Sequence, residues 1–229
     1  MAEIAPLPFR PAAVIFDMDG LMLDSERAIL DALRAAALDH RADIDPDWWL
    51  CLIGHTDAVC RARLGAHIGD AAAEALLADG HARYVAVAEG GVPHRPGIVA
   101  LLEVLRAHDM PRAVATSTRT PLAQRKLKAA GLLAYFDVVR TSSDVAQPKP
   151  APDVYLLAAE RLGVSPAQCL VLEDSPTGVR AALAAGMTAV QVPDLLTPDD
   201  AVRALGHRIV GSLEEAQGLL APWLAKQVG

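Results

Sequence analysis

The sequence predicts an α/β protein with an open, doubly wound parallel sheet and an inserted group of four helices. Short apolar runs typical of buried strands alternate with amphipathic segments of helical length. Between about Ser25 and Gly91 this alternation stops, and helical segments follow one another. Hydrophobic residues make up 52% of the 229 residues, which is enough for a large core.

Six continuous apolar runs are predicted as strands, the last of them weakly. The segments between them are long enough for the helical crossovers that parallel strands need. In the segment GIVALLEVLRAH, for example, four aliphatic residues from Ile98 to Leu105 share one helix face. The six strand runs are AAVIF, RAVATS, FDVVR, CLVLED, TAVQV and HRIV.

Helix ends are predicted from capping and breaking residues. In TPLAQRKLKAAG a proline lies near the start, and Gly131 lies just past the end. SPAQ, at residues 165–168, has the spacing of a capping box. Within the all-helical stretch, the predicted caps are Ser25, Asp45, Thr56 and Asp70.

The all-helical stretch predicts a second domain. We expect residues 25–91 to form a helical cap domain, and residues 1–24 and 92–229 to form the core that holds the sheet. GGVPHRPG would return the chain to the core, and His94 and Arg95 there are candidates for residues that face the cleft.

Charge and composition exclude several classes of function. A net charge of −7 without a basic stripe argues against nucleic-acid binding. No run approaches the length of a membrane span, and the first residues do not resemble a signal peptide. Three cysteines without metal-ligand spacing predict core thiols and a cytoplasmic protein, with a monomer as the simplest state. They are Cys51, Cys60 and Cys169.

Chemically active side chains follow several of the predicted strands. Because the carboxyl ends of parallel strands share one edge of the sheet, these residues are expected to meet there. Crowded carboxylates require a cation, and a set of oxygen ligands suits Mg²⁺. Lysine and threonine suit a phosphoryl group. The residues are Asp17, Asp19, Thr116, Ser117, Glu173 and Asp174, with Lys149 in a proline-rich loop.

The spacing of Asp17 and Asp19 predicts a mechanism. In an extended chain, residues i and i+2 point the same way, so both carboxylates can face one ligand. One can attack phosphorus to form an aspartyl phosphate, while the other protonates the leaving oxygen and then activates water. Gly20 allows a sharp turn that directs backbone N–H groups towards the phosphate.

Four segments in order, FDMDGLMLDSE, ATST, QPKPAPDVY and LEDSPTG, resemble the signature motifs of the haloacid dehalogenase superfamily, in its phosphatase and phosphomutase branch. The resemblance runs from Val14 to about Val192. It implies a Rossmann-like core and a four-helix cap that closes over a small phosphorylated metabolite. It further implies that Asp17 is the nucleophile and Asp19 the general acid/base. Lys149, Thr116 and the Ser117 backbone would bind the phosphoryl group. Mg²⁺ would be bound by Asp17, Asp174 and the main-chain carbonyl of Asp19, and Glu173 would act on the metal through water or by supporting one of these ligands.

The branch of the superfamily decides the reaction. Dehalogenases lack an acid two places after the nucleophile, so Asp19 argues against them. Beta-phosphoglucomutases typically have a histidine and an arginine where this chain has Ile29 and Asp57, so hydrolysis is favoured and a phosphomutase is the alternative. A phospho-accepting signalling switch is a second alternative, and a non-catalytic relative a third.

Other conspicuous residues are interpreted structurally. His55 flanks a helix and is expected on the surface, although it could touch substrate. Trp48 and Trp49 are expected in the core of the cap rather than as a sugar-stacking platform. Asp24 is expected to steady the loop from the first strand to the cap.

Overall fold

The computed structural model describes residues 7–53 and 57–224. In these ranges six strands form one parallel sheet, in the order β3-β2-β1-β4-β5-β6 once they are numbered along the chain. All six correspond to predicted runs. The strands are β1 (Ala13–Phe16), β2 (Arg112–Thr116), β3 (Val138–Thr141), β4 (Cys169–Glu173), β5 (Thr188–Gln191) and β6 (Arg208–Ile209).

β1 lies at the centre of the sheet, between β2 and β4. All four of its residues are buried, as expected for a strand covered on both faces. Strand order reverses at β1, because the chain proceeds from it first to β2 and β3 and later to β4, β5 and β6. The carboxyl end of β1 is therefore the switch point where ligands of open α/β sheets bind.

Helices cover both faces of the sheet. Because side chains alternate along a strand, Val14 and Phe16 join one apolar cluster, and Ala13 and Ile15 join another on the opposite face. The helices of the core are α4 (Ile98–Ala107), α5 (Leu122–Ala129), α6 (Asp153–Leu162), α7 (Pro176–Ala184), α8 (Asp200–Arg203) and α9 (Leu213–Leu224). The first cluster receives residues from α4, α5 and α9, and the second from α6 and α7.

The predicted all-helical insertion lies between β1 and β2. In residues 25–53 and 57–90 it consists of α1 (Ser25–Asp39), a 3₁₀ helix (Trp48–Leu52), α2 (Asp57–Ile68) and α3 (Asp70–Gly90). A third apolar cluster, including Leu33, Trp49 and Leu76, joins these segments. None of the helices in the described ranges has the length and apolarity needed to span a bilayer.

Three of the predicted helix caps are wrong in the part of the chain that the structure describes. Ser25 and Asp70 are the first residues of α1 and α3, whose capping positions are Asp24 and Gly69. Asp45 is not a cap either, because the capping position of the 3₁₀ helix is Asp47, whose N–H donates to the Asp45 carboxylate at 2.8 Å. Ser165 does occupy the capping position of a 3₁₀ turn (Pro166–Gln168), as predicted, but its side chain makes no capping hydrogen bond. Thr56 and His55 lie outside the described residues.

Candidate active site

Asp17 follows β1 directly and lies at the carboxyl edge of the sheet. Its backbone N–H donates to the carbonyl of Leu172 in β4 at 3.0 Å, which continues the strand pairing through this residue. The residue is only 6% exposed, so its carboxylate is held in a largely buried environment. A buried carboxylate is costly without partners, and the surrounding residues have to supply them.

Lys149 supplies one of these partners. It lies in the loop between β3 and α6, and its side chain is only 3% exposed. Its ammonium donates to Asp17 Oδ1 at 2.6 Å and to Glu173 Oε1 at 2.7 Å. Burial opposes the charge, but the two carboxylates outweigh it and raise the pKa of Lys149 well above its usual value. Lys149 therefore bridges two acids as a permanent cation.

Glu173 ends β4 and is completely surrounded by protein donors. Besides Lys149, its Oε1 accepts the hydroxyl of Tyr155 at 2.9 Å. Its Oε2 accepts the N–H of Ser175 at 2.9 Å and the Ser175 hydroxyl at 3.0 Å. A carboxylate has about four lone-pair sites, and here all are engaged. Burial would raise the pKa of Glu173, but these donors, with Lys149 first, lower it.

Asp174 completes a group of three acids. One ligand atom each from Asp17, Glu173 and Asp174 lies within 4.8 Å of the others, and this is the one such group of metal-ligating side chains found in residues 7–53 and 57–224. The Asp174 carbonyl accepts the side-chain N–H of Gln191 at 2.8 Å, which holds its backbone in place. Among the described residues, no hydrogen bond to its carboxylate is found. The Asp174 backbone is thus fixed, and its carboxylate oxygens are not engaged by protein donors in the described ranges.

The electrostatics of the group favour the binding of a cation. Burial, followed by repulsion from Glu173 and Asp19, raises the pKa of Asp17 to about 7 despite Lys149. Burial, with Glu173 and Asp17 next in importance, raises the pKa of Asp174 well above its usual value. One lysine does not neutralise three buried carboxylates. The donor set is all oxygen and carries a net negative charge, which is the type of site that fits Mg²⁺.

Asp19 lies beside this group and is partly exposed. One of its oxygens accepts the Thr118 hydroxyl at 2.6 Å, and the other accepts the ammonium of Lys126. Lys126 also donates to the hydroxyl of Tyr84 in α3 at 2.6 Å. Burial would raise the pKa of Asp19, but Lys126 and the hydroxyl bonds lower it. Asp19 is therefore held by two donors in its charged form.

Thr116 and Ser117 lie at the end of β2, next to the end of β1. The Thr116 hydroxyl is buried and accepts the N–H of Thr118 at 3.0 Å, which tightens the turn after the strand. The Ser117 carbonyl accepts the Ser142 hydroxyl at 2.7 Å. The structure thus brings every residue of the sequence-predicted site to the carboxyl edge of the sheet.

Comparison with known proteins agrees with this geometry. The family model for haloacid dehalogenase-like hydrolases matches residues 11–186, which is most of the chain. The chain belongs to this family.

Relatives in the family share most of the length of the chain. It is 35% identical over 186 residues to fructose-1-phosphate phosphatase YqaB of Escherichia coli, covering 80% of this chain and 97% of the relative. It is 36% identical over 181 residues to hexitol phosphatase A of the same species, covering 78% and 81%. A solved HAD family hydrolase from Deinococcus radiodurans, with bound phosphate and sodium, is 30% identical with a TM-score of 0.78, covering 92% and 95%. The chain is an enzyme of the phosphatase and phosphomutase branch.

Two residues of this candidate site, Lys126 and Tyr84, were not predicted from the sequence. Both lie on helices, and the packing of α3 against α5 that brings them together is not visible in the sequence motifs. One signal was available, since Ala123, Lys126 and Leu127 share one face of α5, and the other two are apolar and buried. A lysine on the buried face of an amphipathic helix requires a buried partner, and here that partner is Asp19.

The other residues singled out in the sequence have structural contacts. Arg95 pairs with Asp194 at 2.6 Å. His94 Nε2 lies 2.7 Å from the Ala130 carbonyl. Asp24 pairs with Arg27 at 2.7 Å, between β1 and the body of α1. The two tryptophans, at positions 48 and 49, pack edge to face, and Trp49 is buried in the apolar cluster of the insertion.

Two glycines of the hydrolase motifs leave room for the acids. A Cβ at Gly20, where φ is +82°, would lie 2.2 Å from Asp174 Oδ2. A Cβ at Gly178, in the first turn of α7, would lie 1.5 Å from Glu173 Oε1. Either contact is impossible without moving a carboxylate of the acid group.

Replacing Gly178 with alanine is therefore expected to displace Glu173 from Lys149 and to lower the free energy of unfolding by about 1–3 kcal/mol. Gly218→Ala is a matched control, because a Cβ added at this exposed helical glycine would have no other heavy atom within 4 Å. That change should stabilise the protein by about 0.5–1 kcal/mol. Urea denaturation of both variants measures the difference. Equal effects at the two positions would contradict the close approach of Glu173 to Gly178.

Proposed function

We propose that this protein is a Mg²⁺-dependent phosphatase that hydrolyses a small phosphorylated metabolite through an aspartyl phosphate. The observation that carries this proposal is the buried acid group of Asp17, Glu173 and Asp174, bridged by Lys149 at the switch point of the sheet. Three acids and one lysine suit a site where a phosphoryl group and a metal ion bind together.

In the first step, a carboxylate oxygen of Asp17 attacks phosphorus. The bond between phosphorus and the ester oxygen breaks, and Asp19, which has first taken up a proton from solvent, gives this proton to the departing oxygen. In the second step, Asp19 removes a proton from water as this water attacks phosphorus. The bond to Asp17 breaks and inorganic phosphate is released. The lowered pKa of Asp19 favours the charged form that the second step requires.

Asp17, Asp174 and the main-chain carbonyl of Asp19 would hold Mg²⁺. Glu173 is assigned a supporting role, because its oxygens are already engaged by Lys149, Tyr155 and Ser175. When bound, Mg²⁺ supplies positive charge to the phosphoryl oxygens and to the acids. Its charge also removes the electrostatic cost that raises the pKa values of Asp17 and Asp174.

Lys149, with the Thr116 hydroxyl and the backbone at Ser117 and Gly20, is assigned to the phosphoryl oxygens. Residues 25–91 are assigned to a cap domain that covers the site, and residues 1–24 and 92–229 to the catalytic core. The contact of Tyr84 in α3 with Lys126 in α5 supports this, because it joins the insertion to the core beside Asp19.

The named relatives make sugar phosphates the first substrates to test, since two of them are a fructose-1-phosphate phosphatase and a hexitol phosphatase. We also propose that the protein is cytoplasmic and a monomer. Its three cysteines are not joined by disulfides, which is typical of a reducing compartment.

Phosphate release from acetyl phosphate and fructose 1-phosphate tests the proposed reaction. We expect release with Mg²⁺, a loss of at least about 100-fold in EDTA, and recovery when Mg²⁺ is restored. The same rate in EDTA would contradict the role of the metal. A phosphorylated protein that is stable and releases no phosphate would favour a signalling switch.

A phosphomutase remains the alternative in the same family branch. Ile29, which stands where the mutases typically have a histidine, lies in α1 on the wall of an aliphatic cavity and offers no hydrogen bond to a sugar. Incubation with beta-glucose 1-phosphate separates the two reactions. Free phosphate would support hydrolysis, and glucose 6-phosphate would support the mutase.

A further inference from the structure

A cavity of about 420 Å³ lies inside the helical insertion, and the proposed reaction steps make no use of it. Residues from α1, the 3₁₀ helix, α2 and α3 line it, and most of the wall is aliphatic. The volume is within the range of small-molecule sites in proteins. The aliphatic side chains are Ile29, Leu30, Leu33, Leu52, Ile53 and Leu77.

The cavity adjoins the acid group. A second, smaller cavity of about 150 Å³ is lined by Asp174 and Ser175 at the end of β4. Glu26 and Ile53 line both cavities, so these two residues form their common boundary. A ligand with its phosphoryl group at the acids can therefore direct the rest of its structure past Glu26 towards the aliphatic wall.

Among the described residues, the acidic and basic side chains that line the larger cavity lie at its boundary or are exposed. Arg61 and Glu74 pair with each other at 2.5 Å, and their side chains are 56% and 57% exposed. Glu26 stands at the boundary with the acid group, and His81 is exposed. Each hydroxyl buried against the aliphatic wall without a partner would cost about 1–3 kcal/mol. The wall therefore disfavours a polyhydroxylated ligand and favours a hydrocarbon.

We propose that this cavity binds the aliphatic part of a phosphomonoester. The substrate is then the phosphate ester of a compact alcohol with few hydroxyl groups, rather than a hexose or hexitol phosphate. This inference rests on the proposed phosphatase function and narrows its substrate class. It also separates this chain from the relatives named for fructose 1-phosphate and hexitols.

A series of non-hydrolysable ligands tests the cavity by binding alone. Methyl-, propyl- and hexylphosphonate are titrated into the protein by calorimetry in the presence of Mg²⁺. We expect Kd to fall about threefold to fourfold for each added methylene group until the cavity is filled. Equal affinity for methyl- and hexylphosphonate would overturn the proposal.

Two phenylalanine variants test whether the gain in affinity with chain length arises in this cavity. Ala78 lines the cavity and is exposed, so Ala78→Phe narrows the space without disturbing the core. We expect this variant to lose most of the gain between propyl- and hexylphosphonate. Ala72→Phe, at an exposed position of the same helix that does not line the cavity, should bind the series as the unmodified protein does. Equal responses of the two variants would refute the assignment to this cavity.

A kinetic comparison separates this inference from the proposed function. Phosphate release is measured from acetyl phosphate, hexyl phosphate and glucitol 6-phosphate, the last two with six carbons each. We expect kcat/KM for hexyl phosphate to exceed that for glucitol 6-phosphate by at least about tenfold. If acetyl phosphate is hydrolysed but hexyl phosphate is not preferred to glucitol 6-phosphate, the phosphatase function is supported and the aliphatic substrate class is overturned. Tight binding of hexylphosphonate with no phosphate release from any ester would support the aliphatic binding cavity and overturn the phosphatase function.

Discussion

Asp17→Asn is expected to abolish phosphate release, with a loss of at least about 1,000-fold in kcat. The amide oxygen of asparagine is a poor nucleophile, and Glu173, the acid bonded to the same lysine, has no free lone pair. The rate is measured with acetyl phosphate and Mg²⁺. Retention of more than a few per cent of the activity would remove Asp17 from the reaction.

The fold should survive this substitution. The backbone N–H of Asp17, which pairs with Leu172, is unchanged, and Lys149 keeps its bond to Glu173. One negative charge disappears from a group whose charges repel each other. In EDTA we therefore expect the variant to melt at the same temperature as the unmodified protein or higher. Added Mg²⁺ should raise Tm less in the variant, because one proposed ligand is gone.

The pH dependence of stability gives an independent test. Burial raises the pKa of Asp17 from 3.8 to about 7 in the folded, metal-free protein. The folded state then binds more protons than the unfolded state, so this group stabilises the fold at low pH and the stabilisation is lost as pH rises. Between about pH 4 and 7 in EDTA, the free energy of unfolding should fall more steeply in the unmodified protein than in Asp17→Asn. Parallel curves would contradict the raised pKa of Asp17.

The strands and the acid group were predictable from the sequence because they depend on local patterns. Where acids follow an apolar run, as at Asp17 and at Glu173, the run predicts a buried strand and the acids mark its carboxyl end, at the edge of the sheet. The helix caps were less predictable, because the side chain at a capping position can bind a nearby charged group instead of the helix N–H groups. Asp24 illustrates this, since its carboxylate pairs with Arg27 rather than with the N–H groups of α1.

The contacts of Lys126 depend on tertiary packing. Its position in α5 shows that it faces inwards, but the sequence does not state which helix of the insertion packs against α5. In the structure α3 does so, and Tyr84 reaches the ammonium that also holds Asp19. The sequence therefore predicted the residues at the strand ends, and the structure was needed for those that reach them from the helices.

Lys126→Met is the second substitution with a large expected effect. Methionine keeps the volume and the apolar contacts of a side chain that is 1% exposed, but Asp19 loses its charged donor and keeps Thr118. A positioned acid/base contributes about 100-fold to 10,000-fold to a rate. We expect kcat to fall by about 10-fold to 100-fold, while KM changes less than about threefold because Lys149 is untouched.

Tyr84→Phe is the matched control for this substitution. It removes the hydroxyl that accepts the same ammonium, without touching Asp19, and should cost about 1 kcal/mol of stability with kcat nearly unchanged. If both variants melt at lower temperature but only Lys126→Met loses kcat, the ammonium acts on Asp19. Equal losses of kcat would instead show that Lys126 serves to hold the insertion against the core. Either substitution removes the bond between Lys126 in α5 and Tyr84 in α3, so a role limited to that bond predicts the same loss in both variants.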